Sequence, residues 1–475
     1  MYTLVFHSIL VVAFTFRILL RDGLLPSSRM AWFMVVLTLP FIGSALYFLF
    51  GEVDLGHKAN KQQRKIFAVI HKFAHKTFAP PDDLDDLVDP RFRAAFKYSR
   101  SINGFNPLGG NRAELMPDAR SARKRLIEDI DASSETVHIL YYIWLGDTTG
   151  TNTANALIRA AKRGVTCRVM VDGLGSRAFV KSLLWKQMAE AGVNLAIALP
   201  IDRPLRTILT SRLDLRNHRK ITVIDGKTTY CGSQNCADPE FRVKAKYAPW
   251  VDIVLRLEGP IVAQNQMLFA SDWLKEVDTP IEDLHIIPQP TESGFVAQAL
   301  GDGPTERMRA SPQMFVTLIE TAQDELIITT PYFVPDPIVI EALCAAAHRQ
   351  VRVALIVPKY NDSWVVAAAS KSFYRKLLEA GAQIYEFRDG LLHSKTLTID
   401  GQMVFMGSSN MDMRSFDLNY ENDVLIEDPD ITKAVRERQF EYISCSDIVQ
   451  LNEVDTWQFH HRMWHNVIAT IGPVL

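Results

Sequence analysis

The strongest constraint on how this chain folds is that it repeats itself. Residues 217–235 read NHRKITVIDGKTTYCGSQN and residues 392–410 read LHSKTLTIDGQMVFMGSSN. Each stretch holds a histidine, a lysine two places on, an Asp-Gly pair and a small polar corner. In the first copy these are His218, Lys220, Asp225, Ser233 and Asn235; in the second they are His393, Lys395, Asp400, Ser408 and Asn410. In both copies six residues separate the aspartate from the glycine of the corner. The alternation of polar and apolar residues is that of a strand, and Asp-Gly between such runs predicts a hairpin. The period of two places each histidine and its lysine on one face of the strand.

The frame around the motifs repeats as well. Strand-like runs at 136–144 and 166–173 alternate with helical patterns at 152–164 and 182–192; runs at 325–333 and 351–359 alternate with helices at 338–350 and 371–381. This pattern predicts an α/β fold: two halves related by pseudo-twofold symmetry, each a mostly parallel sheet flanked by helices. The expected boundaries are 91–290 for the first half, 291–445 for the second and 446–475 for a terminal aromatic segment. The first copy is longer by about fourteen residues, with the surplus near 199–213, which is a candidate lid, a membrane-touching loop or a tolerated surface loop.

The amino terminus departs from the globular pattern. Residues 31–50 contain no charge, and at about 1.5 Å per residue a helix of that length matches a bilayer core of about 30 Å. Pro40 predicts a kink. Residues 2–20 form a weaker apolar run, interrupted by His7 and Arg17. The expectation is a transmembrane helix hairpin over 1–50 with its loop at 21–29. Lys58, Lys61, Arg64, Lys65, Lys72 and Lys76 follow the hairpin, against Arg17, Arg21 and Arg29 in the loop region. That bias predicts that the catalytic part faces the cytoplasm. Within 51–90, a basic helical stretch with Ile66, Phe67, Ile70 and Phe73 as its apolar stripe suits either anionic lipid or packing on the domain, and an acidic linker over 80–90 follows it.

Composition narrows the function. A net charge of -2 argues against coating a polyanion, so no nucleic-acid partner is expected. Five cysteines without a CxxC pair read as reduced thiols. His71 and His75 lack a third ligand, and His460, His461 and His465 lack a cysteine or carboxylate companion at ligand spacing, so no metal is expected. Trp457, Phe459 and Trp464 predict a terminal helix packed on the domain or seated at a membrane interface. VDGLGS at 171–176 is an incomplete glycine loop and reads as a strand-to-helix turn.

The doubled motif suits phosphate. Lys220 and Lys395 supply charge and donors for non-bridging oxygens. Ser233, Asn235, Ser408 and Asn410 are candidate neutral donors to substrate. His218 and His393 can act as nucleophile, acid or base near neutral pH, without any cofactor. One histidine could attack phosphorus while the other protonates the leaving oxygen. Asp225 and Asp400 are candidate catalytic residues with a plainer alternative: as the first residues of Asp-Gly turns they would fix the hairpin.

These residues carry a family likeness. The doubled HxKxxxxD-x6-GSxN resembles the phospholipase D superfamily, and the whole chain resembles its bacterial cardiolipin synthases. The likeness includes the apolar segment ending LYFLFGE, the stretch LYYIWLGDTTG, and Asp412, Arg414, Ser415, Phe416, Asn419 and Glu421 in NMDMRSFDLNYEN. It implies two phospholipase-D-like halves and a metal-independent phosphatidyltransferase of the bacterial inner membrane. That enzyme would join two phosphatidylglycerol molecules and release glycerol through a phosphohistidine. It implies His218 as nucleophile and His393 as acid and base. Glu421 and Asp252 then become the carboxylates that orient the motif histidines. A phospholipase D-type hydrolase is the alternative, and the resemblance leaves room for a homo-oligomer.

Overall fold

The structure, a computed structural model, describes residues 2–51 apart from 22, 23 and 25, then 65–66, 68–70, 72, 87–201, 214–284, 286–291 and 293–471. Both motif hairpins form. Ile221–Ile224 turns back as Thr228–Gly232, and Thr396–Ile399 turns back as Met403–Gly407. Each turn needs positive φ at two successive residues, and Asp-Gly provides it: φ is 50° at Asp225 and 62° at Gly226, and 50° at Asp400 and 64° at Gly401. Lys227 N–H closes the first turn on Ile224 O at 3.0 Å, and Gln402 N–H closes the second on Ile399 O at 2.9 Å.

The strands of the first half run in the order Leu108–Leu115, Val254–Glu258, Thr228–Gly232, Ile221–Ile224, Thr136–Tyr141, Thr166–Asp172, Asn194–Ala198. Those of the second run Phe295–Asp302, Asn419–Glu427, Met403–Gly407, Thr396–Ile399, Glu325–Thr329, Arg352–Pro358, Gln383–Phe387, with Ser446–Ile448 outermost. Leu108–Leu115 and Phe295–Asp302 pair antiparallel, so the two runs form one continuous sheet. Thr136–Tyr141, Thr166–Asp172 and Asn194–Ala198, and their second-half counterparts, are mutually parallel, whereas the strands between them and the junction pair antiparallel. The sheet is therefore mixed, which corrects the expectation of a mostly parallel one. Helical crossovers make the outer strands parallel, whereas each Asp-Gly turn sends the chain straight back.

Helices cover both faces. Ala119–Ala132 and Thr148–Lys162 pack on one face of the first half. Ile261–Glu276 is buried from Ile261 through Trp273 and lies across strands of both halves. An all-round buried helix acts as a keel for the sheet, and removing the Trp273 ring would cost about 3–5 kcal/mol.

The expected helix over 31–50 is broken in two. Pro26–Thr38 ends before Pro40, Phe41 takes φ 61°, and Ile42–Phe50 folds back. Gly43 allows the close return, because a Cβ there would lie 2.2 Å from Val35 O. With Tyr2–Leu19 these helices share a small core of Ile18, Trp32, Val36 and Tyr47, while Val5, Phe6, Ile9, Val12 and Phe16 remain exposed. Among the described residues, no helix is long and apolar enough to cross a membrane. Ile66 and Ile70 are buried in the apolar cluster that contains Trp273 and Leu284. Phe67, His71, Phe73, His75, the acidic run at 80–86 and the insert at 202–213 lie outside the described residues.

Candidate active site

The two halves exchange contacts at the start of each motif. His218 N–H donates to Tyr420 O at 2.9 Å, and Arg216–Asn217 pairs with Asn419 and Tyr420 of the second half. Reciprocally, His393 N–H donates to Val251 O at 2.9 Å, and Leu391–Leu392 pairs with Trp250–Val251 of the first half. The residue after Tyr420 is Glu421 and the residue after Val251 is Asp252. Each histidine is thus laid beside a carboxylate from the opposite half. His218 Nδ1 lies 2.7 Å from Glu421 Oε2, and His393 Nδ1 lies 2.6 Å from Asp252 Oδ1. The carboxylate engages Nδ1 of each ring and not Nε2.

Both lysines fold onto their own histidine. Lys220 Nζ donates to His218 O at 2.7 Å and Lys395 Nζ to His393 O at 2.6 Å. The four side chains lie close enough that each lysine's charge acts on the other half's histidine. All four residues are buried, His218 the least at 8% exposed.

The carboxylates are themselves held. Ser408 Oγ donates to Glu421 Oε2 at 2.5 Å; Ser415 Oγ and Asn419 Nδ2 donate to Oε1 at 2.9 and 3.1 Å. Asp252 receives Ser233 Oγ at 2.7 Å. A serine hydroxyl has one proton to give, and both serines give it to a carboxylate. This corrects the expectation that Ser233 and Ser408 donate to substrate. Asn235 Oδ1 accepts from Ile143 N–H at 3.2 Å and Asn410 Nδ2 donates to Ser415 Oγ at 3.1 Å, so these amides brace loops. Asn410 Oδ1 is left buried without a partner.

Asp225 and Asp400 are placed away from this centre, which corrects their expected catalytic role. Asp225 accepts the backbone N–H groups of Ser134, Glu135 and Thr136 at 2.8–2.9 Å. Asp400 accepts those of Gln323, Asp324 and Glu325 at 2.8–3.0 Å. Each pins the first central strand of its half. A strand rises about 3.3 Å per residue, so the five steps from lysine to aspartate put the two about 16 Å apart.

Several residues of the site carried no signal of their own. Arg219 sits between His218 and Lys220 and points to the opposite face. It is fully buried, donating to Glu421 O at 2.9 Å, Asp272 Oδ2 at 3.0 Å, Glu306 Oε1 at 3.0 Å and Asp302 O at 3.2 Å. Asp172, at the end of its strand, accepts from Leu174, Gly175 and Asn217 N–H at 2.8–3.0 Å, tying the VDGLGS turn to the start of the first motif. Tyr142 meets the His218 ring at 5.0 Å and Trp250 meets the His393 ring at 4.5 Å. For these two aromatics a clue lay in their places, at the strand end and two residues before Asp252.

Burial lowers the basicity of both imidazoles below the ordinary histidine range, against the opposing pull of Glu421 and Asp252. Burial would raise both carboxyls. For Asp252 it is outweighed by His393, Lys395 and Ser233, and for Glu421 by His218, Lys220 and Ser408, so both stay ionised. Burial takes Lys220 down to about 8; burial and then the charge of Lys220 take Lys395 down to about 7. Burial thus favours neutral imidazoles beside two amines of weakened basicity, whose charge a neighbouring anion would reinforce.

One histidine and one lysine from each half, meeting at a single buried centre, define a phosphodiester-transfer site on a duplicated α/β frame. A family model described as "Cardiolipin synthase, PLD-like domain" matches residues 126–273 and 315–443. A second, "Phospholipase_D-nuclease N-terminal", matches residues 9–52. The chain belongs to the cardiolipin synthase family of phospholipase D-like proteins. It is 34% identical to cardiolipin synthase A of Serratia proteamaculans over 98% of this chain and 96% of that one. It is likewise 34% identical to cardiolipin synthase A of Proteus mirabilis, over 100% and 98% of the two chains. The crystal structure of a phosphatidylserine synthase from Haemophilus influenzae covers 80% of this chain and all of its own, with a TM-score of 0.61 at 14% identity, which is a likeness of fold.

Proposed function

We propose that the protein is a cardiolipin synthase that transfers a phosphatidyl group from one phosphatidylglycerol to another, giving cardiolipin and glycerol. The observation that carries the reading is the crossed pairing of His218 with Glu421 and His393 with Asp252, which builds one site from both motifs. The full-length likeness to two cardiolipin synthases supplies the lipid.

The crossed geometry supports the following steps, with His218 taken as the nucleophile on the likeness to phospholipase D-like proteins. Glu421 holds the Nδ1 proton of His218 and leaves Nε2 with its lone pair. Nε2 attacks phosphorus of the first phosphatidylglycerol, and the bond from phosphorus to the headgroup glycerol oxygen breaks. The negative charge of the bound phosphodiester, added to that of Asp252, favours the protonated form of His393, which gives its Nε2 proton to that oxygen, and glycerol leaves. Lys220 and Lys395 hold the non-bridging oxygens as charge builds on them. The headgroup hydroxyl of the second phosphatidylglycerol then loses its proton to His393 and attacks phosphorus. The P–N bond to His218 breaks and cardiolipin is released, with both imidazoles returned to their starting state. The matching strand orders of the two halves suit the pseudo-twofold relation under which the histidines hold equivalent places.

Release of phosphatidic acid requires water in place of the second lipid. The burial of both His/Lys pairs favours transfer over this hydrolysis. The apolar helices within 2–50 and their exposed side chains support anchoring in the bacterial inner membrane. Incubation of the full-length protein with phosphatidylglycerol in vesicles is the test. Cardiolipin with equimolar glycerol is expected; phosphatidic acid as the sole product would overturn the reading.

A further inference from the structure

The C-terminal helix Phe459–Ile471 has two apolar faces, and among the described residues only one of them is covered. On the inner face Ile468 packs with Val334, Ala368 and Ala369, and Trp464 stacks on Trp364 with ring centroids 5.9 Å apart. The outer face carries Phe459, Met463 and Val467. They are spaced four apart, so they form one stripe, and they are 80%, 52% and 49% exposed. Trp364, beside them, is 63% exposed. Large aromatics held open to water are characteristic of surfaces that meet lipid headgroups, where the ring is half wet and half apolar. The charges agree. The helix FHHRMWHNVIATI contains no acidic residue; it offers Arg462 and three histidines.

The location relative to the site adds an independent argument. Val334, under Ile468, is paired in register with Asp412, whose charge acts on Lys395. Asp362, two residues before Trp364, accepts the Tyr332 hydroxyl at 2.8 Å and Lys244 Nζ at 2.6 Å. Lys244 belongs to the first half, and its neighbour Val243 is 67% exposed. Through Val334 and Asp412 the covered face of the helix connects to the shared centre, and through Asp362 and Lys244 the segment at Trp364 connects to the first half. A lipid whose acyl chains stay in the bilayer can bring its phosphate only a short way out. A site that takes such a lipid needs its surroundings seated on the membrane.

We propose that the C-terminal helix, with Trp364 and Val243, is an interfacial foot that seats the catalytic halves on an anionic phospholipid surface, separately from the amino-terminal helices. The assignment rests on the lipid substrate proposed above. The foot lowers the distance a lipid headgroup must travel to reach His218 and His393, and it aligns the site on the bilayer plane.

The test uses the full-length protein reconstituted in phosphatidylcholine vesicles that contain a minority of phosphatidylglycerol, with cardiolipin formation as the readout. The parallel substrate is monomeric dihexanoyl-phosphatidylglycerol, added from the aqueous phase to protein in pure phosphatidylcholine vesicles. The combined variant Phe459→Ser, Met463→Ser and Val467→Ser should slow turnover of the bilayer lipid about tenfold or more, the size expected for losing a few inserted side chains. Turnover of the short-chain lipid should be unchanged, which also shows that the variant is folded. Arg462→Glu should weaken the bilayer rate, and Phe459→Leu should keep it. Equal rates for wild type and variant on bilayer lipid, or equal losses on both substrates, would overturn the proposal. So would a change in oligomeric size with unchanged bilayer turnover, since a second copy would then be the occupant. A wild-type protein that makes no cardiolipin from either substrate would instead strike at the proposed function itself.

Discussion

Glu421→Gln probes the crossed pairing directly, because the change removes one charge and almost no volume. Glu421 receives two donors on each oxygen: His218 Nδ1 and Ser408 Oγ on Oε2, and Ser415 Oγ and Asn419 Nδ2 on Oε1. An amide has only one acceptor oxygen, so its NH2 must face a pair of donors whichever way it turns. Facing Ser415 and Asn419, it leaves two buried donors unpaired. Facing His218, it forces the ring to carry its proton on Nε2, where the attacking lone pair is needed. A charge-assisted bond contributes about 1.5–3 kcal/mol, or about tenfold to 150-fold in rate. A wrong tautomer on top of this has cost a comparable histidine–carboxylate pair about 10⁴-fold in turnover. We therefore expect kcat for cardiolipin formation to fall about 10³-fold, with KM changed less than about threefold, because neither lysine is touched. Rapid-quench measurement of phosphoenzyme sharpens the assay. Glu421→Gln should slow its formation, as a His218 variant would. Asp252→Asn should instead impair protonation of the leaving glycerol, as a His393 variant would. If Asp252→Asn reproduced the His218 defect and Glu421→Gln the His393 defect, the carboxylates would serve their own halves and the crossed site would be wrong. A loss of less than about tenfold for Glu421→Gln would refute the tautomer argument.

Further outcomes follow from other parts of the structure. Asp225→Asn should lower stability by about 1–3 kcal/mol in thermal unfolding, because an amide cannot accept all three strand N–H groups without opposing one; kcat/KM of the folded fraction should stay within a few-fold. A catalytic collapse without a stability loss would restore Asp225 to the chemistry. With Lys395 held at about 7 and Lys220 at about 8, raising the pH through that window strips the positive charge that receives phosphate, so kcat/KM should fall above about pH 7. Bound phosphate favours the charged amines, so the alkaline limb of kcat should lie higher; coincident limbs for kcat and kcat/KM would count against phosphate contact by the lysines. Arg219→Met removes the guanidinium between Asp272 and Glu306 and should destabilise the fold by about 3–5 kcal/mol, read by denaturant unfolding. A change under about 1 kcal/mol would show that the buried network is not held by that charge.

Local chemistry alone determined a good deal of this molecule. The turn-forming pair at Asp225-Gly226 and its twin at Asp400-Gly401 specify a backbone that few other residues adopt, so both hairpins were legible from their letters. The same spacing rule put each histidine beside its lysine, and repetition of the whole pattern announced two like halves. What the letters could not say was how the halves meet. Leu108–Leu115 joins Phe295–Asp302 from nearly two hundred residues away, and no local propensity encodes that pairing. It is this junction that lays His218 against Tyr420 and Glu421, and His393 against Val251 and Asp252, so partners in chemistry are strangers in sequence. Hydrogen-bond capacity then decided the remaining roles. Ser233 and Ser408 looked like substrate donors until the folded chain gave their single protons to the carboxylates. Asp225 and Asp400 looked catalytic until the strand length carried them to the far end. The break at Pro40 shows the same division: proline predicts a kink, but only the return of Gly43 onto Val35 turned one apolar run into two packed helices. Short-range sterics thus wrote the elements, and long-range pairing of buried polar groups, which must each find a partner, composed the site.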